Sequence, residues 1–263
     1  MAPELHVEVE GDGDGPPVVL AHGFTQTGRL WGRFGDEMAP GRRLVRVDLP
    51  GHGGSSAVTA DLVDGAALLV AAGGGTPFDL VGYSLGARFA LHVAVHHPDA
   101  VRRLVLIGGT AGIDDPDARA ARRQRDDALA DQLEASGDVD GFVRRWMAAP
   151  MFAGLATPAP DERRRNTAAG LASSLRLAGT GTQAPLWDRL DRVTAPTLVM
   201  VGAADDRFVD SGLRLVAGLP DAALSLVPGA RHAVHLHQPI LTARLVRAFL
   251  NVDGLDVDGL DVD

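Results

Sequence analysis

The chain has 263 residues and a formal net charge of −9, and with no cysteine and no lysine its 25 basic residues are all arginine. A chain of this length buries roughly 75% of its unfolded surface, so it forms one large domain, or one domain with an insertion, without staples. The composition excludes disulfides, thiol catalysis and lysine Schiff bases, and the acidic balance argues against non-specific nucleic-acid binding.

The first residues, MAPELHVEVE, carry no basic stretch followed by an apolar one, so no signal peptide is predicted. No apolar run approaches the roughly 20 residues that cross a bilayer. A cytoplasmic protein without membrane insertion is expected. LHVEVEG alternates as a strand and GDGDGPP reads as a turn. VVLAHG is a short apolar run, predicted as a buried strand. Residues 30–39 suit a helix, and RLVRVDLPGHG is a strand leading into a glycine-rich loop. DLVDGAALLVAA has helical spacing, FDLVGY is a strand, Leu85–His97 a helix and VRRLVLIGG another strand. Farther on, APTLVMVG, LRLVAGL, ALSLVPGA and PILTARLVRAFL read as strand, helix, strand, helix. Strands and helices alternating at this spacing predict an α/β fold with a mainly parallel, buried sheet flanked by helices.

Between residues 111 and 185 the alternation stops. DARAARRQRDDALADQLEASG, DGFVRRWMA and DERRRNTAAGLASSLRLAG have helical patterning and no strand candidate. We read 111–185 as a helical cap inserted into a core made of 1–110 and 186–250. The acidic tail, 251–263, repeats VDGLD and lacks a packing face, so it is expected to be disordered. Two such short copies are weak grounds for a calcium site.

Chemistry concentrates in a few places. Gly82-Tyr83-Ser84-Leu85-Gly86 follows a strand and opens a helix, the context of a nucleophile elbow. An acid and a histidine follow in the order expected of that arrangement. Asp205 lies just past the strand PTLVMVG, and His232 past ALSLVPGA, so both fall at carboxyl ends of strands, where open α/β sheets put their sites. His232 is then placed to take the proton of Ser84, with Asp205 orienting the imidazole. Asp205 is favoured over Asp206 because it ends the short loop after Gly202. His22-Gly23-Phe24 follows another strand, and the backbone N–H groups of Phe24 and Leu85 are the expected oxyanion hole. His22 and His52 read as loop hydrogen-bonders. His232, His235 and His237 are close in sequence, but no carboxylate has suitable spacing for a metal site.

Arg88 is four residues beyond Ser84, on the same helix face. A fork for carboxylates beside the serine points to an acidic substrate. Other arginines cluster in the cap, Arg119, Arg122, Arg123 and Arg125, then Arg163, Arg164 and Arg165, and Arg207 follows the acid. An all-arginine inventory is also what a GC-rich genome gives, so number alone carries no argument.

Up to about Leu250 the chain resembles the 2-succinyl-6-hydroxy-2,4-cyclohexadiene-1-carboxylate synthases, α/β-hydrolase-fold lyases of menaquinone biosynthesis. The resemblance rests on GYSLGARFAL, MFAGL, RRNTAAGLASSLRLAGTGTQAPLWDRL and GARHAVHLHQP. It implies a catalytic Ser84, Asp205 and His232. It places carboxylate-binding arginines at Arg88, at Arg119 or Arg122, and at Arg164 or Arg165, with the basic residue after the acid at Arg207. An aromatic cap pair falls on Trp146 and Met147, so the second aromatic is missing, and Ala87 stands where the family often has glycine. Tyr83, beside the serine, is counted with the substrate-binding residues.

The implied reaction removes pyruvate from a polycarboxylated cyclohexene. Ser84, activated by His232, acts as a base and not as an acyl acceptor, and the oxyanion hole steadies negative charge developing on a carboxylate. The partner is a small polycarboxylate, no cofactor or metal is expected, and the chain is taken as a monomer or weak oligomer. The alternative on the residues alone is a serine hydrolase of a small acidic ester or C–C bond. A non-catalytic binding protein on this fold is the third reading, and an intact triad argues against it.

Overall fold

The computed structural model describes residues 3–75, 77–155 and 160–251. From residue 252 on, the expected acidic tail lies outside the described residues. Seven strands form one sheet: β1 (Val7–Glu10), β2 (Val18–Ala21), β3 (Leu44–Val47), β4 (Phe78–Tyr83), β5 (Val101–Ile107), β6 (Thr197–Gly202) and β7 (Ala222–Val227). Their order is β1-β3-β2-β4-β5-β6-β7, with β1 antiparallel to β3 and every other pair parallel. The inner strands are buried on both faces, which is why β2, β4 and β6 read as unbroken apolar runs. The edge strands are more open: β1 has no buried residue and β7 only its last.

Helices cover both faces. One apolar layer holds Leu69, Phe78, Leu80, Phe89 and Val93. The other holds Trp31, Phe34, Val81, Met200 and Val246. Each layer packs strand residues against helices, drawn from α1 (Gly32–Met38), α2 (Leu62–Ala72), α3 (Leu85–His96), α8 (Asp206–Gly218), α9 (Val234–His237) and α10 (Pro239–Leu250).

Between β5 and β6 lie α4 (Pro116–Ser136), α5 (Val139–Met147), α6 (Pro160–Arg163) and α7 (Ala168–Ala178). Their boundaries follow capping rules. Asp115 accepts from the Ala118 N–H at 2.7 Å and Gly137 ends α4 at φ 63°. Thr167 accepts from the Gly170 N–H at 3.0 Å, so the single helical stretch expected over DERRRNTAAGLASSLRLAG is two helices. Leu133, Phe142, Val143, Leu171 and Leu175 give this segment a small core of its own. Among the described residues no helix is long and apolar enough to cross a membrane.

Candidate active site

The site is built at the carboxyl ends of β2, β4, β6 and β7. β4 ends at Tyr83, and the chain turns through Ser84 directly into α3. Ser84 takes φ 52°, and it and Thr25 are the only non-glycine residues with positive φ among those described. Such a conformation costs on the order of 1–3 kcal/mol and persists only where its surroundings enforce it. Here the Ser84 N–H donates to Ile107 O at 2.9 Å and the Gly86 N–H to His22 O at 3.0 Å. The flanking glycines are required by close approach: a Cβ on Gly86 would run into the Ala21 carbonyl, and one on Gly82 into that of Gly86.

Ser84 Oγ lies 2.9 Å from His232 Nε2. The imidazole is buried, with its ring centroid 4.2 Å from that of Phe208 and 5.4 Å from that of Tyr83. Burial holds its pKa below the ordinary histidine value, an effect partly offset by the Asp205 carboxylate. The ring is therefore neutral near pH 7, as a base must be. Asp205 precedes α8, and its Oδ2 stands 3.6 Å from His232 Nδ1. That is an ion-pair distance and too long for a hydrogen bond. Neither atom has another hydrogen-bond partner, so a small closure would complete the Ser–His–Asp chain. Asp206 is exposed at the first turn of α8.

Among the described residues, the backbone N–H groups of Phe24 and Leu85 are not used in a backbone hydrogen bond, and both residues line the cavity that opens over Ser84. His22 is a loop tie. Its Nδ1 bonds Gly23 O at 2.8 Å and its Nε2 accepts from the Leu49 N–H at 3.0 Å, with burial pushing its pKa down to about 4. His52 plays a similar part through Pro50 O at 2.9 Å.

The cavity has a volume of about 380 Å³ and lies between the sheet edge and the inserted helices. Arg88, Arg122, Arg125 and Arg207 line it, against one carboxylate, Asp126. Arg88 is only 8% exposed. Its Nη1 donates to the Ala178 carbonyl at 2.6 Å, and among the described residues it has no ion pair. Burial, with Arg122 nearby, pushes its pKa down to about 9 against the opposing pull of Asp126, so the charge survives at neutral pH with no carboxylate in direct contact. Arg122 pairs with Asp126 at 2.9 Å. A smaller pocket of about 20 Å³ shares Ser84 and His232 with this cavity and adds Tyr83, Met147, Phe152 and Arg163. Trp146 stands edge-on to Phe24, centroids 5.0 Å apart, and lines both pockets.

Three expected binding residues are not in the site. Arg119 turns back to the carbonyls of Ile113 and Asp114, at 2.7 and 3.1 Å, before the first turn of its helix. Of the pair Arg119 and Arg122, it is Arg122 that faces the cavity. Arg164 is exposed and held by Asp140 and Asp161 at 2.9 and 2.6 Å, and Arg165 lies 3.5 Å from Glu162. Their neighbour Arg163 is the arginine that enters. It is 2% exposed and donates to Thr25 Oγ1 at 2.6 Å. The signal was present in PDERRR: Arg164 and Arg165 have an acid three residues earlier, whereas Arg163 has Pro160 there. The cavity lining also includes Arg125, from the cap cluster, and Phe208, which carries no sequence signal. Among the described residues no cluster of three or more His, Asp or Glu is placed to hold a metal ion.

Comparison with known proteins agrees with this geometry. The family model described as alpha/beta hydrolase family matches residues 18–245. The chain is 34% identical to a Bacillus subtilis (strain 168) protein provisionally named 2-succinyl-6-hydroxy-2,4-cyclohexadiene-1-carboxylate synthase, over 92% of each chain. It is 32% identical to the synthase of that name from Serratia proteamaculans (strain 568), over 92% of this chain and 95% of the other. The solved structure of MenH from S. aureus superposes with a TM-score of 0.87 at 26% identity, over 95% of this chain and 99% of the other. With a sheet, an elbow and relatives that agree over nearly their whole lengths, the chain belongs to the alpha/beta hydrolase family and, within it, to the 2-succinyl-6-hydroxy-2,4-cyclohexadiene-1-carboxylate synthases.

Proposed function

We propose that the enzyme is a carbon–oxygen lyase that eliminates pyruvate from 2-succinyl-5-enolpyruvyl-6-hydroxy-3-cyclohexene-1-carboxylate in menaquinone biosynthesis. The observation that carries the reading is Arg88: a buried guanidinium without a carboxylate partner, in the same cavity as Ser84. A neutral ester offers such a cation nothing, whereas a substrate carboxylate satisfies it with charge-assisted hydrogen bonds of about 1.5–3 kcal/mol each.

Ser84, hydrogen-bonded to the neutral His232, takes the proton from the ring carbon that bears the succinyl ketone. That proton is the acidic one, because the resulting charge spreads onto the ketone oxygen, so it is this oxygen, and not a carboxylate as first expected, that the Phe24 and Leu85 N–H groups serve. The electron pair moves through the ring double bond and breaks the C–O bond to the enolpyruvyl group, which picks up a proton and leaves as pyruvate. Asp205 steadies the imidazolium formed on the way. Arg88, Arg122 and Arg163 hold the carboxylates, and Trp146 and Tyr83 wall the ring. No step calls for a metal or organic cofactor. The reading sets the enzyme in the cytoplasm as a monomer or weak oligomer acting on a small polycarboxylate.

The test is pyruvate release by the purified protein, alongside Ser84→Ala. The wild type is expected to release pyruvate and to hydrolyse aryl esters poorly, and Ser84→Ala to lose about 10³-fold or more in kcat. Fast aryl-ester hydrolysis without pyruvate release sinks the lyase reading in favour of a hydrolase.

A further inference from the structure

Thr25 directly follows Phe24 and is held at φ 65°. The left-handed region is poorly suited to a β-branched residue, so something outside the turn must enforce it. The core supplies the turn itself. The Gly23 N–H donates to Gln26 Oε1 at 3.0 Å and the Gln26 N–H to Gly23 O at 3.1 Å. Neither bond touches Thr25. The groups that do touch it come from the inserted segment, more than a hundred residues away. Arg163 Nη1 donates to Thr25 Oγ1 at 2.6 Å and to Thr25 O at 3.2 Å. Asn166 Nδ2 donates to the same carbonyl at 3.1 Å.

Asn166 is itself fixed. Its Oδ1 accepts from the Gly53 N–H at 3.0 Å, its Nδ2 also donates to Arg163 O at 3.0 Å, and it is 4% exposed. One buried amide therefore joins the loop after β2, the glycine-rich loop after β3 and the end of α6. It lines neither pocket at Ser84, yet it holds the residue after an oxyanion donor.

We propose that Asn166 is a positioning residue for the oxyanion hole: anchored on Gly53, it fixes the strained Thr25 so that the Phe24 N–H stays aimed at the developing charge. This rests on the assignment of Phe24 and Leu85 as the oxyanion donors. The donor is then set only while residues 163–166 are seated on the core, which makes seating of the inserted segment a condition of catalysis as well as of substrate binding.

Asn166→Asp keeps the size and an acceptor for Gly53, and removes the donor to Thr25. The expected outcome is a kcat about 10- to 100-fold lower with KM within about threefold, since a misaimed donor weakens the transition state more than the ground state. Adding Thr25→Gly, which adopts φ 65° without steric cost, is expected to return about fivefold or more of that kcat. A merely structural staple gives the opposite pattern: a lower Tm, kcat per folded molecule within about twofold of wild type and no rescue by glycine. That pattern overturns the proposal. Should the aspartate variant not fold, Asn166→Ala, which removes the donor without introducing a charge, is read against the same two outcomes. Ser84→Ala run in parallel separates the two levels of argument. If it keeps pyruvate release, the reading of the site falls; if it loses release while the Asn166 variants keep kcat, the positioning role alone falls.

Discussion

The core and the inserted segment face each other across one cavity and bring different physics to it. The core contributes position. Ser84 is fixed by a strained backbone, by hydrogen bonds from both sides and by glycines that admit no side chain. His232 is buried and neutral. The inserted helices contribute charge on long side chains: Arg122 and Arg125 line the cavity, the second of them exposed, and Arg163 lines the smaller pocket that shares Ser84. The serine and histidine are thus set by backbone that tolerates little change, and the arginines proposed to bind substrate stand on a separate small hydrophobic core. A fold used for many reactions acquires its specificity this way.

Arg88 belongs to both regions: its backbone is core helix, and its guanidinium reaches the Ala178 carbonyl of α7. Arg88→Met is the sharpest break of the comparison. kcat/KM for pyruvate release is expected to fall about 10²- to 10⁴-fold, from the loss of one bidentate charge-assisted pair. Stability is expected to hold or rise, because an unpaired buried cation gives way to an apolar side chain of similar length. A thermal melt beside the kinetics decides it. A large drop in Tm with a modest loss of activity would make Arg88 a structural tie between the two regions.

Within the inserted segment the comparison narrows to three consecutive arginines. Arg163→Gln is expected to lower kcat/KM about 10- to 100-fold, by loss of a buried charge-assisted contact and of the bond to Thr25. Arg164→Gln and Arg165→Gln are expected to stay within about twofold, because exposed, salt-bridged side chains contribute little. Equal losses at all three would mean that the cluster acts through its summed field and not through one aimed group.

The two regions also differ in how much of them the sequence discloses. The strands are readable because a parallel sheet buries both faces, so β2, β4 and β6 become plain apolar runs. The elbow is readable because its glycines are demanded by backbone contact. The acid and the histidine follow from strand ends. The inserted segment is harder. Which face of α4 looks down is set by packing against α7, so Arg119 and Arg122, three residues apart, end with one outside and one inside. The break at Arg164–Thr167 is decided by a threonine cap and by burial of Asn166, neither of which changes the local helical pattern. Phe208 lies ahead of the helix LRLVAGL read from the sequence, and its contact with His232 requires α8, which starts earlier, to pack beside the loop after β7.

The last test bears on the core alone, through its neutral histidines. His235 packs among Trp31, Phe34 and Tyr83, and neither ring nitrogen has a hydrogen-bond partner. Burial pushes its pKa from 6.5 down to about 3. Above pH 6.5 both folded and unfolded states hold it neutral, so it contributes no pH dependence. Below 6.5 the unfolded chain takes up a proton that the folded one refuses, and stability falls by about 1.4 kcal/mol per pH unit for each such group. His52, pushed down to about 3, and His22, to about 4, act in the same direction. His235→Phe removes one of these groups without removing a hydrogen bond. Denaturant melts between pH 6.5 and 4 are expected to show a slope shallower by one proton, with kcat/KM at pH 7.5 within about threefold of wild type. An unchanged slope would mean that His235 titrates in the folded state, and so that this side of the core, unlike the elbow it supports, admits water.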